Sequence, residues 1–121
     1  MIVLVCGGRD YGINQWEIEH LAIALDKLNA EYHFTSVIQG GARGADTLAK
    51  IWANRRDIPG KTFEVTKEDW KTMGKAAGSI RNQAMLDQGH PDLVVAFPGG
   101  NGTADMVRRA RKAGIKVIEA P

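Results

Sequence analysis

The chain has 121 residues, with 16 lysines and arginines against 14 aspartates and glutamates, a formal net charge of +2, 44% hydrophobic residues and 25% charged residues. This composition is typical of a folded globular protein and excludes an intrinsically disordered chain, and the length suits one domain over residues 1–121. No apolar run approaches the roughly 18–20 residues of a membrane-spanning helix, and no secretory signal is visible, so we expect a cytoplasmic protein with no membrane partner.

Short apolar runs along the chain predict buried β-strands. The five predicted strands are Ile2–Val5, Thr35–Gln39, Lys61–Val65, Leu93–Phe97 and Lys116–Glu119. The strands alternate with helical segments, which favours an α/β fold with a doubly wound parallel sheet of about five strands.

Apolar spacings of three and four residues predict the helices between these strands. The first begins near Asn14 as N-cap, and its apolar face holds Ile18, Leu21, Leu25 and Leu28. The second has a face formed by Ala45, Leu48, Ala49 and Trp52. The third is expected from Ser79, as its cap, to about Gln88. The last is expected from about Thr103, with inward residues Val107, Ala110 and Ala113. The polar segment from Thr66 to Gly78 is expected to be irregular.

Three predicted strands end in a glycine pair, at Gly7-Gly8, Gly40-Gly41 and Gly99-Gly100. In a parallel sheet these ends meet at one edge, where open α/β sheets bind ligands. Glycine permits tight strand-to-helix turns and close approach of a ligand to the backbone. The free N–H groups of the following helices suit phosphate.

Charged and polar residues surround these glycines and predict a phosphate-binding site. Arg9, Arg43 and Arg81 are candidate phosphate ligands, because a guanidinium can contact phosphate through two hydrogen bonds. Asp46 either favours a helix N-terminus electrostatically or bonds a ribose hydroxyl. Trp70 either stacks on a base as part of a lid or anchors its own loop. The predicted ligand-binding residues are Gly7, Gly8, Arg9, Asp10, Gly40, Gly41, Ala42, Arg43, Gly44, Asp46, Trp70, Ser79, Arg81, Asn82, Pro98, Gly99, Gly100, Asn101, Gly102 and Thr103.

Other kinds of site have less support in the sequence. The GxxxxGK[ST] motif of phosphate-loop NTPases is absent, which disfavours ATP hydrolysis of that kind. The three histidines do not cluster with other ligands, so no metal site is expected. Cys6, the single cysteine, excludes an intramolecular disulfide and is interpreted as a small buried hydrophobe. No cofactor is expected beyond a nucleotide ligand.

These motifs resemble the SLOG superfamily of Rossmann-like nucleotide-binding domains, and within it the small YpsA-related proteins of bacteria and phages. The resemblance covers nearly the whole chain and rests on four segments: residues 7–10, 40–46, 81–82 and 98–103. It implies a Rossmann-like three-layer fold, a strand order 3-2-1-4-5 and a ligand pocket at these segments. It also implies a homodimer.

One branch of the superfamily, the LOG-type phosphoribohydrolases, implies an enzyme. Its signature PGGxGTxxE is similar to the segment that begins at Pro98, and Arg81 corresponds to its catalytic arginine. The position of the catalytic glutamate is occupied by Met106, which cannot supply a carboxylate. Asp105 lies one residue earlier, about 100° away around a helix. The candidate catalytic residues are Arg81, Asp46 and Asp105.

A second branch, the DNA-processing protein A group, implies binding of single-stranded DNA. Such binding adds aromatic side chains on which bases stack. Tyr11 and Trp70 are the expected exposed aromatics near the edge, whereas Trp16 and Trp52 are expected in the core. The leading expectation is therefore a nucleotide-binding sensor or sequestering module, with a nucleotide hydrolase and a single-strand binder as the alternatives.

Overall fold

Five parallel strands form the sheet in the computed structural model, which describes residues 1–121. The strands are β1 (Ile2–Cys6), β2 (Ser36–Gln39), β3 (Gly60–Thr62), β4 (Leu93–Ala96) and β5 (Lys116–Glu119). The helices are α1 (Gln15–Tyr32), α2 (Ala45–Arg55), α3 (Lys67–Met73), α4 (Ala76–Gly89) and α5 (Asn101–Lys112). None of these helices is both long and apolar enough to cross a membrane.

The strand order is β3-β2-β1-β4-β5, and every neighbouring pair is parallel. The expected α/β class and the order 3-2-1-4-5 are confirmed. The chain winds outward from β1 to β3 and then returns to place β4 on the other side of β1. The direction of winding therefore reverses between β1 and β4, and open α/β sheets bind ligands at such a point, beyond the carboxyl ends of the strands.

Alternate residues of β1 face two separate core clusters. Val3 and Val5 join the cluster beneath α1 and α2, whereas Leu4 and Cys6 join the cluster beneath α4 and α5. Because β1 is the central strand, both of its faces are buried. This explains why its sequence is a continuous apolar run rather than an alternation of apolar and polar residues.

The third strand is displaced from its prediction. Gly60–Thr62 form β3, whereas Lys61–Val65 were expected. The last pair in the ladder joins Gln39 to Thr62, because β2 ends there before the Gly40-Gly41 turn. Beyond Thr62, the Phe63 N–H still donates to the carbonyl oxygen of Gln39 at 2.8 Å, but the residues after Phe63 have no residue of β2 left to pair with.

The segment expected to be irregular contains a helix. Thr66 caps α3: its hydroxyl accepts a hydrogen bond from the Asp69 N–H at 3.0 Å, and the Asp69 carboxylate accepts one from the Thr66 N–H at 3.0 Å. This reciprocal pair is a capping box, and the Thr-x-x-Asp spacing was visible in the sequence. The prediction missed it because α3 buries none of its residues and so has no apolar face to reveal it.

The third and last predicted helices begin earlier than expected. Ser79 lies inside α4 and is not its cap, since α4 starts at Ala76 after Lys75. Ala77 is almost fully buried, and its packing extends the helix by most of a turn. The last helix, α5, starts at Asn101, and Ala113, expected to face inward, is exposed beyond its end.

The predicted exposure of two aromatic side chains was wrong. Tyr11, expected to be exposed, is 5% exposed and packs on Phe97 with ring centroids 5.4 Å apart. Trp16, expected in the core, is 60% exposed because it lies in the first turn of α1, away from Leu21 and Leu25. Trp52 is buried, as expected.

Candidate functional site

A cavity of about 480 Å³, called here the main cavity, opens where the carboxyl ends of β1 and β4 separate. Its wall includes thirteen of the predicted ligand-binding residues: Gly7, Gly8, Arg9, Ala42, Asp46, Trp70, Ser79, Arg81, Asn82, Gly100, Asn101, Gly102 and Thr103. Three more, Gly40, Gly41 and Arg43, line a neighbouring cavity of about 390 Å³, called here the side cavity. Asp10, Gly44, Pro98 and Gly99 line neither cavity.

The N-terminus of α5 opens into the main cavity. Gly100 is its N-cap and supplies no side-chain hydrogen bond, so the N–H groups of the first helical turn are free to meet a ligand. A Cβ atom added at Gly100 or at Gly102 would meet no atom within 4 Å. These two glycines therefore leave open space at a helix end whose dipole favours an anion.

Two other glycines of the turns, Gly44 and Gly7, are explained by close packing of α2 against the loop after β1. Gly44 has φ +81°, and a Cβ there would run into the carbonyl oxygen of Gly8 and lie 2.6 Å from that of Arg9. A Cβ at Gly7 would lie 2.6 Å from Cβ of Ala45. These close contacts seat the N-terminus of α2 against the loop after β1. Gly7 also lines the main cavity, whereas Gly44 lines neither cavity.

Arg81 reaches from α4 to the end of β2. Its Nη1 donates to the carbonyl oxygen of Gly40 at 2.7 Å, and its Nε donates to Oδ1 of Asn82 at 3.1 Å. Partial burial lowers the pKa of Arg81 from its ordinary value, while the Asp46 carboxylate opposes that shift. The guanidinium is thus held rigidly, with Nη2 free of protein partners, beside the main cavity.

Asp46 is a buried carboxyl on the wall of the main cavity, 6% exposed. Its Oδ2 accepts a hydrogen bond from the Ala42 N–H at 3.2 Å, which fixes the glycine-rich turn after β2. Burial raises the pKa of Asp46 from 3.8 to about 6, despite that hydrogen bond and the nearby Arg81 cation. A carboxyl that titrates this close to neutral pH can accept a hydrogen bond from a ligand or exchange a proton with one.

The raised pKa of Asp46 makes stability depend on pH in a definite direction. Between pH 4 and pH 6 the folded protein holds a proton that the unfolded chain has released, so the contribution of Asp46 to stability is full below pH 4 and is lost as the pH rises through 6. Asp46→Asn does not titrate. We expect the free energy of unfolding of Asp46→Asn, relative to the wild type, to increase from pH 4 to pH 7 in urea denaturation. A relative stability that stays constant or decreases would contradict the burial of this carboxyl.

Asp105 also lines the main cavity, but its two oxygens are occupied. Oδ1 accepts from Arg108 at 2.9 Å, and Oδ2 accepts from Asn82 and from Arg109, both at 2.9 Å. Burial raises the pKa of Asp105, but these bonds outweigh it and hold the pKa below its ordinary value. Met106 is 1% exposed and lies in the core cluster under α4 and α5.

Two predicted phosphate ligands differ in their surroundings. Arg43 forms an ion pair with Asp10 at 3.1 Å, and both side chains are 76% exposed. Arg9 forms no ion pair, and its guanidinium lies 5.8 Å from the centroid of the Trp70 ring. Trp70 is 40% exposed on α3 and contributes to the walls of both cavities.

The wall of the main cavity also includes four residues outside the predicted ligand-binding and catalytic sets, namely Cys6, Lys75, Gly78 and Met85. Lys75 and Gly78 were missed because they lie where α3 turns into α4, in the segment expected to be irregular. Burial raises the pKa of the Cys6 thiol to about 12, which agrees with the interpretation of Cys6 as a small hydrophobe. No group of three His, Cys, Asp or Glu side chains is arranged to hold a metal ion.

Comparison with known proteins adds two findings. Residues 1–72 match the model of a family described as YAcAr, the YspA, cpYpsA-related SLOG family. Over 120 residues the chain is 39% identical to the Gene 61 protein of Mycobacterium phage D29, an alignment that covers 96% of this chain and 93% of that protein.

Proposed function

The chain belongs to the YspA and cpYpsA-related SLOG family, and from this we propose that it binds a nucleotide, or a phosphorylated ligand derived from one, in the main cavity. Membership of this family suggests nucleotide-related binding or processing. The observation that carries the proposal is the uncapped N-terminus of α5, which opens into a cavity that also holds the rigid guanidinium of Arg81.

The phosphate is proposed to lie between these two features. The free N–H groups of Asn101, Gly102 and Thr103 would donate to its oxygens, and the dipole of α5 would favour its charge. Arg81 would add a charge-assisted bond from Nη2, since its other two nitrogens are already bound to the protein. The phosphate would thus be bound by backbone N–H groups of α5 on one side and by the Arg81 guanidinium on the other.

The nucleoside is proposed to lie between Asp46 and Trp70, which are both on the wall of the main cavity. The Asp46 carboxylate would accept a hydrogen bond from a ribose hydroxyl. The indole of Trp70, still 40% exposed, offers a face on which a base can stack. Lys75, at the start of α4, would add a positive charge at the mouth of the cavity.

The two alternatives have less support from the geometry. A LOG-type hydrolase lacks its carboxylate, because Met106 is buried in the core and Asp105 is held in two ion pairs. A single-strand binder loses one of its two expected stacking residues, because Tyr11 is buried. Asp46 is the one carboxyl that could still serve a hydrolase. Pairing of two copies of the chain stays a prediction.

Gly102→Ala tests the proposed phosphate position. We expect this substitution to raise the free energy of unfolding by about 0.5–1 kcal/mol, because Ala favours a helix over Gly and the added Cβ meets no atom. We expect it to weaken binding of a nucleoside monophosphate at least tenfold, because the methyl group would occupy the space in which the phosphate approaches the helix end. Isothermal titration calorimetry and urea denaturation measure the two effects.

A matched control lies at the other end of the same helix. Lys112→Ala also changes helix propensity in α5 but is remote from the cavity, so its affinity should equal that of the wild type. A Gly102→Ala protein that is more stable and binds the nucleotide as tightly as the wild type would place the phosphate away from α5.

A further inference from the structure

The side cavity adjoins the main cavity, and the proposed function leaves it unused. Arg9, Ala42, Trp70 and Arg81 belong to the walls of both, so the two spaces share one boundary. At about 480 Å³ the main cavity alone is within the range of small-molecule sites, roughly 300–1,000 Å³. A nucleoside monophosphate therefore needs no second space, and the side cavity, at about 390 Å³, is available for another part of a larger ligand.

We propose that the side cavity binds a sugar joined to the nucleotide through its phosphates, so that the ligand is a nucleoside diphosphate carrying a further neutral sugar. This inference rests on the proposed function, since it needs the nucleotide itself in the main cavity. It keeps the first phosphate between the start of α5 and Arg81, assigns the second phosphate to the shared boundary between Arg81 and Arg9, and places the second sugar in the space beyond.

The boundary has the charge that a diphosphate requires. Arg9 and Arg81 are both part of it, and neither forms an ion pair with the protein within salt-bridge distance. Arg81 is fixed by Gly40 and Asn82, whereas Arg9 is held only by its position over the Trp70 ring. Two guanidinium groups that lie between two spaces can neutralise a group with two negative charges that crosses from one space to the other.

Beyond the boundary, the side cavity is unsuited to a further phosphate. Two N–H groups of its glycine-rich backbone are already used: Gly41 donates to Oε1 of Gln39 at 2.6 Å, and Ala42 donates to Oδ2 of Asp46 at 3.2 Å. Arg43 is neutralised by Asp10. The side cavity therefore offers a phosphate fewer free donors than the N-terminus of α5 does in the main cavity.

The side cavity instead offers acceptors for hydroxyl groups. Glu64 is exposed on its wall, and the stem of Glu64 packs close to Gly41, where an added Cβ would lie 3.1 Å from Cγ of Glu64. The Glu64 carboxylate would repel a third phosphate and would accept hydrogen bonds from the hydroxyls of a sugar. This chemistry favours a nucleotide sugar over a nucleoside triphosphate.

The test is calorimetric titration of the wild-type chain with three matched sets of probes: AMP, ATP and ADP-glucose; GMP, GTP and GDP-mannose; UMP, UTP and UDP-glucose. We expect at least one nucleotide sugar to bind tenfold or more tightly than its monophosphate and more tightly than its triphosphate. We expect Glu64→Ala to remove this gain and to leave the affinity for the monophosphate unchanged. Glu31→Ala, an exposed carboxylate near the end of α1, is the control and should keep the gain.

The outcomes separate this inference from the proposed function. Monophosphate binding without any gain from the sugar, a triphosphate that binds more tightly than the sugar, or a gain that survives Glu64→Ala would each overturn the inference and leave the proposed function in place. Absence of binding by all nine probes would overturn both. The comparison among probes uses the unmodified chain, so it does not depend on whether the Glu64 variant folds.

Discussion

Gly44→Ala is expected to lower the free energy of unfolding by roughly 3–5 kcal/mol, a large part of the 5–15 kcal/mol typical of a native domain. Gly44 has φ +81° and ψ −129°, a conformation that residues with a Cβ rarely adopt. The added Cβ would also run into the carbonyl oxygen of Gly8 and lie 2.6 Å from that of Arg9. The Gly8 oxygen cannot move without separating α2 from the loop after β1, because the Ala45 N–H donates to it at 3.2 Å. Urea denaturation followed by circular dichroism measures the loss.

Gly100→Ala is the matched control for this prediction. Gly100 is also a glycine N-cap after a strand, but its φ is −101° and a Cβ there would meet nothing within 4 Å. Its free energy of unfolding should fall by no more than about 1 kcal/mol, because alanine is a poorer N-cap than glycine but no contact is lost. If Gly44→Ala also stayed within 1 kcal/mol, the backbone contact between α2 and the first loop would not exist as described.

Arg81→Met is expected to weaken nucleotide binding roughly 30- to 150-fold, which corresponds to about 2–3 kcal/mol for a charge-assisted hydrogen bond to phosphate. Methionine keeps much of the apolar stem, so the variant removes the charge with limited loss of packing. The Gly40 carbonyl oxygen loses its 2.7 Å partner, and Asp46 loses its nearest cation, which should raise the Asp46 pKa further. Calorimetric titration with the monophosphate that binds the wild type best measures the loss.

The control for Arg81→Met is Arg55→Met. Arg55 is exposed at the end of α2 and contributes to neither cavity, so its replacement should change the affinity less than threefold. Equal losses in the two variants would mean that the net charge of the chain, rather than a placed guanidinium, governs the affinity. An Arg81→Met protein with full affinity would remove Arg81 from the site.

The sheet was predictable from the sequence because its strands are buried on both faces. Short continuous apolar runs such as Val3–Val5 and Leu93–Val95 are typical of strands in a parallel sheet that is covered on both faces. The strand order came from the family resemblance and not from the pattern, since hydrophobic periodicity does not tell which strands are neighbours. The edge strand β3 was misplaced because its length is decided by its partner β2, and its own residues do not mark that limit.

The segment between β3 and β4 could not be derived from periodicity. A helix with no buried residue, α3, has no apolar face, and only the capping box at Thr66 and Asp69 marks its start. The consequence for the site is direct, because Lys75 and Gly78 lie at and after the α3–α4 junction and line the main cavity.

The glycine clusters were predicted to lie at one edge, and they do, but their separate roles are visible only in three dimensions. Gly44 permits a backbone contact, whereas Gly102 leaves open space at a helix end. The arginines divide in the same way. Arg81 is half-buried and faces the main cavity, whereas Arg43 is exposed and paired with Asp10. Residue type and spacing are alike in these cases, so the sequence alone did not distinguish them.

The most direct test of the nucleotide-site proposal is a titration of ¹⁵N-labelled protein with a nucleoside monophosphate, followed through the backbone amide resonances. The proposal predicts the largest shifts at Asn101, Gly102 and Thr103 at the start of α5, smaller shifts at Gly7 and Gly8, and little change at the end of α5 near Lys112. Saturating shifts confined to another surface, or none with any of the common nucleotides, would contradict it.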